Sequence, residues 1–313
     1  MTAPLATRIA RLSEVSARQV VDPDQAIPGA FGDGQVLPDE LLSTAGLDLE
    51  LTAAQRAALS REEVAAIAQE GVRFEAILGS GFLLHISKAT DFSDPRIIYA
   101  LHEVGEETRH SRLFVRAVRQ LDPKAANPLE GGVLGAVKHW MVRTILGHQA
   151  LMYVLVLAGE EIPDLIQKLA AEHPGTDPFL RQVSHYHRQE EARHLAFARM
   201  VLPELWAKAS WCERARVRHQ APWIIEYMFD SLVHPGVYAA AGLPAWRTWW
   251  AVKSSASRRA LRHEATRPVL VALIEAGVLK RGRVPFAWRR LTGTGRAGPA
   301  AAQKRGEAGK LPA

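Results

Sequence analysis

The sequence predicts an all-α fold in which a bundle of four long helices carries additional packing helices on its C-terminal side. Three observations point there. No stretch sustains the alternation of a strand, and helix-start punctuation recurs at regular intervals before long apolar-periodic runs. A five-residue motif, Glu-Glu-x-Arg-His, is also written twice, at 106–110 and 190–194, each time in the middle of such a run.

The elements follow in order. Ser60 with Glu63 has the form of a capping box, opening a helix at about 61 that continues through VAAIAQEGVRFEAILGSGFLLH. Asp94-Pro95 supplies an N-cap and a proline at the first helical position, and the second helix runs to Gln120, about 26 residues or ~39 Å. A third helix starts after Gly131-Gly132 and passes Glu160, with Pro163 expected to kink or end it. Asp177-Pro178 repeats the Asp-Pro start, and the fourth helix is expected to reach Pro203. Further helices are expected at about 213–232, 244–258 and 266–276, the last closed by Gly277. Residues 1–54, rich in Pro, Gly and Asp over their first 50, are read as a partly irregular extension. One domain spans 55–280, and 281–313 is a basic tail of disordered composition.

Bulk composition narrows the function. The 313 residues are 48% hydrophobic and 23% charged, which suits a globular protein with a substantial core. The net charge of +6 is concentrated at the end: from Lys280 onward nine Lys or Arg face one acid, Glu307, leaving the body close to neutral and without the basic face of a nucleic-acid binder. The single cysteine, Cys212, excludes internal disulfides and Cys-based metal clusters, so any metal must use His and carboxylates. The longest apolar run, LMYVLVLAG at 151–159, falls far below the ~20 residues of a membrane span, and the N-terminal stretch has no continuous apolar segment of the secretory kind. A cytoplasmic location is the expectation.

Charged side chains inside apolar helices need a partner or an ion. On the fourth helix His187, Glu191 and His194 recur at i, i+4 and i+7 and share a narrow stripe; on the second, Glu107 and His110 share a face. A single Glu-x-x-His is commonplace on a solvated helix. Two of them, joined by one lone Glu from each of two further helices, are how a helical bundle surrounds two metal ions. The lone glutamates are present. Glu160 interrupts LMYVLVLAGEEIP, 31 residues before Glu191, and 31 residues before Glu107 falls one place from Glu75, within FEAILGSGF. Glu70 is a weaker candidate for that role. Glu106 and Glu190 are expected beside the ligand stripe, facing solvent or supporting the ligands, with Arg109 and Arg193 pairing such carboxylates. His85, His139, His148 and His219 stand apart from any such pattern.

With these residues the chain resembles the ferritin-like diiron superfamily and, within it, the p-aminobenzoate N-oxygenase (AurF-like) family. That family adds a third histidine one turn before the second Glu-x-x-His, a position held here by His187 in H-x-x-x-E-x-x-H at 187–194. The resemblance covers roughly residues 55–235. It implies a ferritin-like four-helix bundle whose metal ligands are Glu75, Glu107, His110, Glu160, His187, Glu191 and His194. One feature departs from it: Glu103 occupies the position equivalent to His187 in the first half, and is read first as an acid lying outside the ligand set, with an extra ligand or an ordinary pair for an arginine as the alternatives.

The resemblance further implies two iron ions, with manganese as the alternative, that activate O2 to convert a small amine, typically an arylamine, to a hydroxylamine and then nitro product. No flavin or nicotinamide motif is visible, so electrons must come from an external reductase or small reductant. A homodimer is compatible with such bundles, and neither nucleic acid nor membrane is an expected partner. The same seven ligands also suit C-hydroxylation or desaturation, and a non-enzymatic iron-binding protein is the alternative from another class. Near the ligands Leu78, Phe82, Tyr153 and Val156 suit core and substrate wall equally.

Overall fold

A computed structural model describes residues 4–295, and every regular element among them is helical. Two N-terminal helices, α1 (Leu5–Arg18) and α2 (Pro23–Ala26), precede the long α3 (Ala53–Ile86) and α4 (Pro95–Leu121). Next come α5 (Gly132–Leu146), α6 (Gln149–Glu172) and α7 (Pro178–Lys208). The chain ends in α8 (Trp211–His219), α9 (Ala221–Ser231), α10 (Pro235–Ala240), α11 (Ala245–Ser254), α12 (Ala256–Glu275) and α13 (Phe286–Thr292). The bundle consists of two hairpins, α3 against α4 and α6 against α7, and α12, α9 and α8 cover the outer side of α6. This is an all-α, ferritin-like helical fold.

The Asp-Pro starts work as expected: Asp94 accepts from the backbone N–H of Arg96, and Asp177 from those of Phe179 and Leu180. The first bundle helix, however, begins eight residues before the expected 61. Its capping box is Thr52 with Gln55, each side chain bonding the other's backbone N–H. Ser60 and Glu63 sit inside the helix and look outward to tie down the N-terminal segment. Ser60 Oγ accepts from Val36 N at 3.0 Å, and the Glu63 carboxylate accepts from the N–H and hydroxyl of Ser43. A capping-box pattern describes only spacing, and here the same residue types bond a neighbouring segment instead.

The expected third helix is two. α5 and α6 part at Gly147-His148 and their axes turn by 118°. No single described helix is long and apolar enough to cross a bilayer. Neither Pro163 nor Pro203 ends its helix: α6 runs on to Glu172 and α7 to Lys208. An internal proline costs about 3 kcal/mol, whereas one fully buried Leu or Val contributes about 1.5–3 kcal/mol. Leu157, Val154, Val201 and Leu202, at most 1% exposed, outweigh that cost on the two helices together.

Four further expectations are revised by the structure. The segment 213–232 divides into α8 and α9, and the helix expected from 266 starts ten residues earlier, at Ala256, passing through Pro268. The N-terminal extension carries a 14-residue helix, α1, whose Leu5, Ile9 and Leu12 recur on one side and pack against the main core. It has no side-chain cap, which is the signal that would have marked it. Within the segment read as a basic tail, α13 is ordered and its Trp288 is wholly buried, donating from Nε1 to Val217 O. Residues 296–313 of that tail lie outside the described residues.

Two apolar cores occupy the bundle at different heights. On α3 one core takes Leu59 to Ala68 and the other Leu78 and Phe82; on α7 they take Phe179 to Tyr186 and Leu195 to Trp206. α4 crosses the same two layers in the opposite order. The residues left between the layers are 75 on α3, 103–110 on α4 and 187–194 on α7, where the charged motifs lie. The repeated motif is therefore sealed on both sides by hydrocarbon.

Candidate metal centre

Seven polar residues meet in that gap, and each is at most 3% exposed. Glu75, His110, His187 and Glu191 bring one donor atom each within 4.8 Å of one another, and so do Glu107, Glu160, Glu191 and His194. Glu191 belongs to both groups. These are the seven residues expected from the sequence. Glu70 joins neither group; it pairs with Arg73 at 2.8 Å and with Lys138 at 3.5 Å. His85, His139, His148 and His219 also lie outside both groups.

Each histidine has one ring nitrogen turned inward and the other anchored. His110 Nδ1 faces Glu107 and Glu191 at 3.1 and 3.0 Å, and its Nε2 donates to Glu190 at 3.0 Å. His194 mirrors it, with Nδ1 facing Glu107 and Glu191 at 3.1 and 2.9 Å and Nε2 donating to Glu106 at 2.7 Å. His187 uses the other nitrogen: Nδ1 donates to the Gln167 side-chain oxygen at 2.9 Å, leaving Nε2 toward Glu75 and Glu191 at 3.3 and 3.4 Å. Such anchoring fixes ring orientation and tautomer for metal binding.

The doubled motif now has a physical reason. In each copy the second Glu and the His face the centre, while the first Glu takes the imidazole N–H of the opposite copy's His. The arginines complete the exchange, Arg109 donating to Glu190 at 3.3 Å and Arg193 to Glu106 at 2.9 Å. Glu106 and Glu190 are buried, so of the two roles expected for them the supporting one holds and the solvent-facing one does not. Three supports carry no sequence signal. Gln167 stands 20 residues from His187, Tyr186 Oη donates to Glu190 at 3.0 Å, and Ser16 with Gln19 receives Arg193 from the N-terminal helix.

The electrostatics match a site built for cations. Burial, with Glu107 alongside, holds the Glu75 carboxyl well above the usual carboxylate range, and burial with Glu191 alongside does the same to Glu160. Burial also acts against Glu107 and Glu191, yet the positive charge that His194 gathers pulls both below the ordinary value. His110 and His194 are driven up despite burial because carboxylates press on them from both sides, whereas burial and the neighbouring His110 push His187 down to about 4. Among the described residues, one buried oxygen each of Glu75, Glu107, Glu160 and Glu191 still finds no hydrogen-bond partner. Four carboxylates balance two divalent cations, and mixed nitrogen and oxygen donors suit iron or manganese over calcium or magnesium. The residues present fit a pair of transition-metal ions.

A cavity of about 230 Å³ adjoins the centre. Glu75, Glu160 and His187 line it together with apolar side chains of α3, α5, α6, α7 and α9. Leu78 and Val156 belong to this wall; Phe82 and Tyr153 do not, and their rings pack together 6.0 Å apart. Gly159 allows the Phe74 ring to lie directly against α6, where any Cβ would collide with it.

Uncharacterized protein Mb0909 of Mycobacterium bovis and uncharacterized protein Rv0885 of Mycobacterium tuberculosis are each 27% identical over 174 residues, covering 54% of this chain and 49% of theirs. The matched region thus spans about half the length of those curated relatives. No solved structure matches significantly. The family described as P-aminobenzoate N-oxygenase AurF matches residues 6–277, from the first helix to the end of α12, and the chain belongs to that family.

Proposed function

We propose that the seven residues hold two iron ions and that the protein is a diiron oxygenase acting on nitrogen. In this reading a small, largely apolar amine is converted to its hydroxylamine and onward to the nitro product. The observation that carries it is the placement of two donor groups sharing Glu191 at one wall of an apolar cavity. Bound iron would supply O2 binding and reduction. For the first step R–NH2, O2, two electrons and two protons give R–NHOH and water, the electrons coming from an external donor.

The chain's own part is binding, orientation and exclusion of water. At ~30 Å³ per water the cavity holds about eight water volumes, enough for a single-ring amine. Its apolar walls favour the ring and disfavour bulk water. Glu75, Glu160 and His187 present the polar end to which the amine is directed. Gln167 fixes the His187 ring, and the crossed Glu106 and Glu190 bonds hold His194 and His110. The cavity's cations, Arg73 and Lys138, are already paired with Glu70 and Glu130, so an uncharged arylamine is the better-matched substrate form.

The test loads the protein anaerobically with Fe(II), supplies a chemical reductant and 18O2, and offers p-aminobenzoate or the uncharged p-toluidine. Mass spectrometry should find 18O on the amine nitrogen. Fe(II) oxidation that consumes O2 while leaving both amines untouched would reduce the reading to a diiron oxidation of another kind.

A further inference from the structure

The two metal-facing helices carry the same spacing, Glu103, Glu107 and His110 on α4 against His187, Glu191 and His194 on α7. Five of these six residues belong to the two donor groups, and all six are buried, Glu103 completely. His187 gives Nε2 to the group containing Glu75, and Gln167 holds it there. Glu103 has the corresponding position on α4, and its strongest electrostatic neighbours are His194, Glu107 and Glu191, all members of the other group. Neither of its oxygens finds a hydrogen-bond partner among the described residues, although Tyr99 lies one turn away on the same helix. Every other carboxylate of the centre has at least one protein contact with a histidine or arginine or shares a donor group.

A fully buried carboxylate with two bare oxygens demands a cation or a donor. The arginines beside the centre are engaged elsewhere, Arg193 with Glu106 and Arg109 with Glu190. We propose that Glu103 is an eighth protein ligand, supplying to the ion held by Glu107, Glu160, Glu191 and His194 the extra donor that His187 supplies to its neighbour. The inference rests on the dimetal reading above. It makes the pair chemically unequal, with two imidazoles on one ion, and one imidazole and one additional carboxylate on the other.

Anaerobic titration with Co(II) tests this, because its visible bands strengthen as coordination number falls. Wild type should take up two Co(II) per chain. E103A should bind one ion as wild type does, and the second at least about tenfold more weakly, with stronger visible absorption for that ion. E103Q, which keeps the shape and so guards against misfolding, should shift in the same direction by less. Two-ion binding by E103A and E103Q with unchanged affinity and spectrum would overturn the eighth ligand and leave the dimetal reading intact. Failure of folded wild type to bind a pair would overturn both.

Discussion

The copy of the motif on α4 and the copy on α7 are nearly interchangeable at four positions and differ at a fifth. Glu106 and Glu190, Glu107 and Glu191, Arg109 and Arg193, and His110 and His194 make the same kinds of contact with their opposite numbers. One turn earlier α7 has His187 where α4 has Glu103. Their surroundings differ too: Glu190 is braced by Tyr186, whereas the Arg193 that holds Glu106 is itself held by Ser16 of α1. The symmetric part forms a crossed frame of buried bonds that sets where two cations can sit. The asymmetric part decides how the two sites differ: Glu75 and His187 of one group line the cavity, and Glu160 of the other.

The largest effect should come from the residue common to both groups. E191A is expected to lose most of both ions, while E75A, in one group alone, retains about one per chain; elemental analysis of the purified variants decides it. Equal retention by the two variants would show that Glu191 is not shared. Stability should follow. With free metal a thousandfold above Kd, binding adds about 4 kcal/mol, so chelation should lower the unfolding temperature of wild type strongly and that of E191A little.

Breaking the crossed bonds one at a time sharpens the comparison. E106Q and E190Q each remove the carboxylate that accepts an imidazole N–H, and metal affinity should drop by ~10–100-fold in each. If the frame is symmetric, competition assays with a colorimetric chelator will give similar losses. A loss confined to one variant would show that the two halves bear unequal loads.

Smaller still is the lone-glutamate pair. Phe74 precedes Glu75 and Gly159 precedes Glu160, and the ring of the first fills the space left by the second. G159A should displace Phe74 at a cost of about 1–3 kcal/mol, measurable by urea denaturation, and should perturb amine binding more than metal content. The least effect is expected from S16A, which takes one acceptor from Arg193 on the α7 side only. About 0.5–1.5 kcal/mol is expected; a loss of metal as large as that of E106Q would contradict its secondary place.

Much of the centre could be read from spacing. Glu107, His110, His187, Glu191 and His194 share helix faces by arithmetic, and Glu75 and Glu160 stand out because a charge inside an apolar helix is expensive. Three of the four long helices were legible for the same reason, since Asp-Pro starts and apolar periodicity are local, while the break at Gly147-His148 in the third was not. Their ends were not. Pro163 and Pro203 each mark a break by local rules, and packing carried the helices through them. Ser60 with Glu63 copied the form of a cap while bonding Val36 and Ser43, from a segment distant in sequence.

What the sequence determined by itself is a candidate donor set and the helix face on which each of its members lies, because helical periodicity is a property of neighbours along the chain. Only the tertiary structure decided which nitrogen of each histidine points inward, that the first Glu and the Arg of each motif serve the opposite copy, and that Gln167 and α1 support the centre. Those outcomes depend on how two hairpins are placed against each other. That placement follows from two apolar cores closing above and below a charged layer, a balance over the whole molecule that no local window contains.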